Sequence, residues 1–204
     1  MSNIIRQREP HEPKHLLNGE PEIVFQARIG AILNFPVLED REGKGYVAYT
    51  FEKYVRAPGT RIIAVRDQKI YLQKEYRFEQ DRFDWRLPGG KVFDNFELYK
   101  PYITKEIPEE IIVKAAKKEL AEEAGLQANK LRVFDRSVCG TTVTWDLIYV
   151  IAEDISVLTD RKEHEGEHFE QNKWCSFQEV EKMCKSGEIG EGRTVSALLK
   201  YISS

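Results

Sequence analysis

Residues Ala115–Leu126 read AAKKELAEEAGL and place three carboxylates, Glu119, Glu122 and Glu123, within five positions. On a helix, residues three and four apart share a face, so these acids form one cluster. Ile112, Ala116, Leu120 and Ala124 follow the same spacing and give the helix an adjoining apolar stripe to bury. Gly125 supplies the left-handed residue that ends helices, with Leu126 as the apolar contact beyond it. The acids run against helix stability. Glu119 and Glu123 are a like-charge i,i+4 pair, worth about 0.2–0.5 kcal/mol of repulsion, at the end where the dipole favours cations. A solvated acidic face is one explanation; a bound divalent cation, which would remove both penalties, is the other.

The chain has 204 residues, 41% hydrophobic and 32% charged, which fits one domain or one with a modest appendage. No apolar run approaches the roughly 18 residues of a membrane span. The opening MSNIIRQREPHEPKHLLNGEPE is too polar for a secretory signal. Cys139, Cys175 and Cys184 are odd in number and lack metal-type spacing, and the four histidines form no evident metal set. Reduced thiols and the absence of targeting signals predict a cytoplasmic protein with no membrane partner. A net charge of −3 argues against a nucleic-acid partner, which needs a basic surface.

Residues 1–20 read as a loose polar arm. Glu22–Phe35 and Gly45–Arg56 are rich in β-branched and aromatic residues and predict two strands. Arg61–Arg66 and Lys69–Arg77 predict a hairpin around Asp67–Gln68. Phe78–Arg86 reads as a charged aromatic loop, and Leu87-Pro88-Gly89-Gly90 as a sharp turn. The central helix is expected to start near Pro108, with Glu109 and Glu110 in its first turn. Strands are expected at Leu131–Cys139, Thr142–Ala152 and Asn172–Ser176, with an acidic loop over Glu153–Gln171. Helices are expected at Phe177–Ser186 and Thr194–Ile202, separated by the glycine-rich SGEIGEG. Strands mixed with few helices give the class α+β.

Gly89-Gly90 lets backbone approach a ligand or ion without Cβ obstruction, and clustered carboxylates suit hard cations such as Mg²⁺. With these two features together the chain resembles the Nudix hydrolase family, whose box is G-x5-E-x7-R-E-U-x-E-E-x-G-U with U a bulky apolar residue. Lys118–Leu126, KELAEEAGL, matches the second half with Lys118 in place of Arg; Leu87–Val92, LPGGKV, matches the first. Gly90 and Glu119 stand 29 positions apart where the box spaces them by 15, so about fourteen residues are inserted, near 94–107. The first box glutamate is therefore Glu97, Glu106 or Glu110; Glu106 precedes the helix as the family's does, and Glu110 keeps the family spacing to Glu119. Lys118 lacks the bidentate fork of the family Arg. Lys100-Pro101-Tyr102, within the insertion, is a candidate lid.

The resemblance implies an α/β/α sandwich with a mixed sheet over 58–204, preceded by antiparallel strands at 21–57 that form a dimerisation sheet. It implies Mg²⁺, with Mn²⁺ as alternative, held by Glu119, Glu123 and the backbone at Gly89, with Glu122 in support. The order of elements and the C-terminal W…F-x-E-V…SGEI…T segment are similar to the ADP-ribose pyrophosphatase branch. That branch implies a base in the late acidic loop, here Glu167 or Glu165, and substrate contacts from Arg77, Arg56 and the Gly90 turn. By residue chemistry alone, the loop acids also fit a solvated turn, the two arginines a surface role, and Trp85 either base stacking or core. The implied reaction is Mg²⁺-dependent hydrolysis of the diphosphate in a small nucleotide substrate of ADP-ribose or nucleotide-sugar type, giving a nucleoside monophosphate and a phosphorylated remainder. Two departures weigh against ADP-ribose itself: Arg86-Leu87-Pro88-Gly89-Gly90 stands where the branch has Glu-Leu-Pro-Ala-Gly, and Thr141 where it has Pro. The rival readings are a non-catalytic nucleotide sensor on the same fold and a nucleoside triphosphate or dinucleotide pyrophosphohydrolase.

Overall fold

A computed structural model describes residues 4–40, 43–158 and 169–204. In chain order the strands are β1 (His15–Leu17), β2 (Glu22–Gln26), β3 (Gly30–Asp40), β4 (Tyr46–Arg56), β5 (Gly59–Arg66), β6 (Lys69–Arg77) and β7 (Arg82–Arg86). Then come α1 (Phe96–Tyr99), α2 (Glu109–Ala124), β8 (Leu126–Ser137), β9 (Val143–Thr144), β10 (Leu147–Val157), β11 (Phe169–Ser176), α3 (Phe177–Ser186) and α4 (Gly192–Ile202). The class is α+β, as expected. The chain divides into two units. One runs to Ala57 and takes in Asn95–Glu97 and Cys139–Trp145; the other holds Pro58–Asp94, Leu98–Val138 and Asp146–Ser204.

In the first unit, β3 and β4 form a long antiparallel ladder from Gly30↔Arg56 to Asp40↔Tyr46, with β1 and β2 on the far side of β3 and β9 parallel to β4. The stretch Glu22–Phe35, expected as one strand, is two. The Ala27 N–H donates to the Gly30 carbonyl, and a Cβ on Gly30 would lie 2.6 Å from the Val55 carbonyl oxygen, so the chain reverses there at a glycine. The N-terminal segment, expected to be loose, is pinned. Ile5 N–H donates to Tyr46 O and Tyr46 N–H to Arg6 O, both at 2.7 Å. Arg8 reaches the buried Asp40 carboxylate at 2.6 Å, and Arg6 grips Glu12 through both terminal nitrogens. That grip holds the Glu12 carboxyl down at about 2.

In the second unit the sheet order is β11-β6-β5-β10-β8, with β7 paired to β6. β10 runs parallel to β5 and antiparallel to β8. These central strands are continuous apolar runs, Ile62-Ile63-Ala64 and Leu147–Ala152, all but fully buried, as strands covered on both faces require. Asp67 and Gln68, at φ 51° and 56°, make the expected two-residue hairpin turn. The α2 stripe Ile112, Ala116, Leu120 and Ala124 is buried, and Gly125 ends the helix at φ 63°. The charged stretch expected as a loop instead carries β7, which pairs with β6 from Gln73↔Arg86 to Arg77↔Arg82.

Candidate active site

The glycine turn sits where one strand leaves another. β5 pairs with β6 only at Val65↔Ile70 and Arg66↔Lys69, so the N-terminal half of β5 has ladder positions open on that side. The Leu87–Gly90 turn takes them: Thr60 N–H donates to Gly90 O and Ile62 N–H to Pro88 O, each at 2.8 Å. A Cβ on Gly89, whose φ is 156°, would stand 2.2 Å from the Thr60 carbonyl oxygen. On Gly90 it would stand 2.3 Å from the Glu119 carboxyl carbon. At Gly89 backbone leaves no room for a side chain, and at Gly90 one fits only if the Glu119 carboxylate moves.

The last turns of α2 deliver carboxylates to this backbone. Gly89 N–H donates to Glu123 Oε2 at 2.7 Å, and Lys91 N–H to Glu119 Oε1 at 3.3 Å. From β6 the buried Gln73 amide donates to the Glu123 main-chain carbonyl at 3.1 Å, fixing the end of the helix. Lys118 stands 3.5 Å from Asp94 and 4.0 Å from Glu122. Two carboxylates one helical turn apart, facing a turn stripped of side chains, are hard oxygen donors without nitrogen or sulfur competitors, and they fit a hard divalent cation. Mg²⁺ is bound through one or two carboxylates plus water and phosphate oxygens, not by an all-protein cage. Among the described residues no group of three or more His, Cys, Asp or Glu side chains is arranged as such a cage.

The other expected site residues fall as follows. Glu110 lies in the first turn of α2, nine positions and hence about 14 Å of helix rise from Glu119. Glu106 is exposed ahead of that helix and lines a cleft with Pro108, Glu109, Val133 and Arg136. Glu97 belongs to the first unit and accepts a hydrogen bond from Gln26 at 2.9 Å. Arg77, closing β6, is held by Glu75 at 2.9 Å and Glu79 at 3.3 Å. Arg56 ends β4 in the first unit, its guanidinium 4.5 Å over the Trp145 ring. Glu165 and Glu167 lie outside the described residues. Trp85 is core, buried under Lys173, whose Nζ stands 4.5 Å over the ring. In the insertion, Tyr102 stacks on the buried Phe93 at 5.3 Å, and Tyr99, whose hydroxyl burial pushes up, packs on the same ring.

Sequence reasoning passed over a second group of charges. Arg61, Glu75, Asp84, Arg86 and Glu191 converge beside the turn from β5, β6, β7 and the start of α4. Arg86, buried, contacts Glu75 at 3.4 Å, Asp84 at 3.4 Å and Glu191 at 3.5 Å; Arg61 reaches Glu191 at 3.2 Å. Burial pushes the Arg86 guanidinium below its ordinary value, and the neighbouring Arg61 adds to that. The signals were present: Arg86 departs from the family motif, Gln73 interrupts the apolar YL of β6, and Glu191 sits in the glycine-rich separator. Only the strand register brings them together.

A model of the NUDIX domain matches residues 55–198. The chain is 36% identical over 81 residues to a CMP-5'-(N-acetyl-N-hydroxy-3-aminopropyl)phosphonate hydrolase of Streptomyces rubellomurinus (strain ATCC 31215), covering 39% of this chain and 32% of that protein. It is 26% identical over 147 residues to an ADP-ribose pyrophosphatase of Bacillus subtilis (strain 168), covering 71% of this chain and 72% of that protein. Thus the alignment spans about a third of the first relative's length and most of the second's. A crystal structure of an ADP compounds hydrolase superposes with a TM-score of 0.63 at 19% identity, over 95% of this chain and 94% of that one, which establishes a shared fold.

Proposed function

The chain belongs to the NUDIX domain family, and on that premise we propose that it is a pyrophosphohydrolase cleaving the diphosphate-type linkage between a nucleotide and a second moiety. The two curated relatives act, by their names, on a CMP-linked phosphonate and on ADP-ribose. Both compounds couple a nucleotide to something else. The observation that carries the reading is the convergence of Glu119 and Glu123 on the side-chain-free turn, with Gly89 N–H on Glu123 Oε2 at 2.7 Å.

In this reading Glu119 and Glu123 would hold Mg²⁺ or Mn²⁺ with the backbone at Gly89, and Glu122 supports them. The cation, when bound, supplies charge neutralisation at the phosphate oxygens. The chain's own residues do the rest. Gly89 and Gly90 keep the approach to phosphate open, Gln73 fixes the helix end, and Arg77 binds substrate oxygens through its planar guanidinium fork. Glu167, or Glu165, orients the attacking water and takes its proton. Glu106 is the favoured first box glutamate. The exposed Leu17, Val24 and Phe25 of the first unit support a homodimer through its sheet, which sedimentation at micromolar concentration would test. Among the described residues no helix is long and apolar enough to cross a membrane.

The deciding experiment is product analysis on a panel of CMP-, ADP- and UDP-linked compounds and nucleoside triphosphates, with Mg²⁺ and with chelator, for wild type and Glu123→Gln. Monophosphate release that needs metal and is lost in Glu123→Gln is the expected result. Undiminished turnover by that variant would refute the metal assignment. Tight ligand binding without turnover by the folded wild type would favour the sensor reading.

A further inference from the structure

Arg86 is buried at 8% exposure, yet it is loosely held. Among the described residues its three acidic contacts measure 3.4, 3.4 and 3.5 Å. Each of those acids makes its shorter bond elsewhere. Asp84 Oδ1 accepts from Gly190 N–H at 2.6 Å, Glu191 Oε2 from the Thr194 hydroxyl at 2.6 Å, and Glu75 Oε1 from Arg77 at 2.9 Å. A latch built for stability looks different, and this chain contains examples: Arg6 meets Glu12 at 2.8 and 2.7 Å, and Arg8 meets Asp40 at 2.6 Å. Charge-assisted pairs normally close to about 2.7–2.9 Å. Burying a guanidinium against contacts this long, with Arg61 nearby, is unfavourable unless something else uses the charge.

The position says what could use it. Arg86 stands three residues before Gly89 and directly opposite Gln73, the residue that holds the Glu123 carbonyl. Directly opposed residues of an antiparallel pair present their side chains to the same face. Arg61 springs from backbone whose Cα lies 2.9 Å from where a Gly89 Cβ would be. Both guanidiniums are therefore anchored in the strands that carry the glycine turn. Among the described residues Glu75, Asp84 and Glu191 contact Arg86 at 3.4–3.5 Å, and Glu191 also holds Arg61, whose Nη1 donates to the Thr60 carbonyl at 3.0 Å.

We propose that Arg61 and Arg86 form a subsite for an anionic group, a carboxylate, phosphate or phosphonate, on the moiety beyond the scissile linkage; the placement beyond that linkage rests on the hydrolase reading above. Anion binding there replaces three long contacts by a paired fork.

Glucose 1-phosphate and glucuronic acid 1-phosphate differ by one carboxylate and serve as probes. Calorimetric titration of wild-type protein is expected to give roughly tenfold tighter binding of the acid, the scale of one charge-assisted hydrogen bond. Arg86→Gln and Arg61→Gln, checked for folding by thermal melts, should each abolish most of that preference, while Arg86→Lys keeps part of it. Equal affinity of the two probes for wild type, no binding of the acid at millimolar concentration, or a preference that survives in both Gln variants overturns the proposal. If Arg86→Gln fails to fold, Arg61→Gln and Arg86→Lys decide. Glu123→Gln, titrated in parallel, should keep the preference. Turnover of the nucleotide panel without any probe preference sinks the subsite alone; probe preference without turnover sinks the hydrolase reading and leaves an anion-binding site.

Discussion

Gly89 and Gly90 are neighbours with the same side chain, and a methyl group added to each would meet a different obstacle. At Gly89 the obstacle is backbone, the Thr60 carbonyl at 2.2 Å, and the φ of 156° is one that L-residues rarely adopt. Neither can yield, so Gly89→Ala should destabilise the protein by more than about 1 kcal/mol and lower its melting temperature. At Gly90 the obstacle is the tip of the Glu119 side chain, 2.3–2.4 Å away, which can swing aside. Gly90→Ala should therefore melt close to wild type while losing about 10²-fold in turnover, because a carboxylate displaced by an ångström is no longer in place. Parallel melts and steady-state rates separate the two; equal stability losses would contradict the argument. The need for a close backbone approach was legible in the Gly-Gly pair. Which group approaches each glycine was not, because it depends on β6 leaving β5 after two pairs.

Among the elements, those shaped by periodicity were legible and those shaped by charge were not. The α2 stripe and its glycine stop follow from spacing alone. β7 was hidden because three of its five residues are charged, and two of those, Asp84 and Arg86, are buried. A strand whose inward positions hold an ion network breaks the apolar alternation that identifies strands, and such breaks collect at functional sites. α3 obeys local rules throughout. Its Ser176 Oγ accepts from Glu179 N–H at 3.3 Å, and the Glu179 carboxylate accepts from Ser176 N–H at 2.7 Å, a complete capping box. Ser176→Ala should cost about 1 kcal/mol in urea unfolding and leave KM and kcat unchanged. A change in kinetics would mean that the start of α3 contributes to the site.

At the scale of the molecule, long-range pairing is what the sequence could not disclose, and Glu191 is the clearest case. Its carboxylate ties Arg61, 130 positions earlier, to Arg86 and to Thr194, joining β5, β7 and α4. Burial works against its charge, but Arg61 and Arg86, with the bonds from Thr194 and Arg61, hold it below its ordinary value of 4.5. The sign of the linkage follows. Between the folded and unfolded values the unfolded chain binds more protons, so stability rises with pH there. The contribution is fully present above about 4.5 and is lost as pH falls through the depressed folded value. Glu191→Gln removes a charge from a buried network and should cost on the order of 3 kcal/mol at pH 7. Other carboxylates, Asp40 and Glu179 among them, are also held low and steepen the acid limb of both proteins. The difference between wild type and variant isolates Glu191, because those groups cancel in it. Urea unfolding at pH 7, 5, 4 and 3 should show the gap constant down to pH 5 and narrowing below 4.5. A gap that holds its full size to pH 3 would mean that Glu191 stabilises the fold through packing and neutral hydrogen bonds, and that the guanidiniums beside the glycine turn are held in place without its charge.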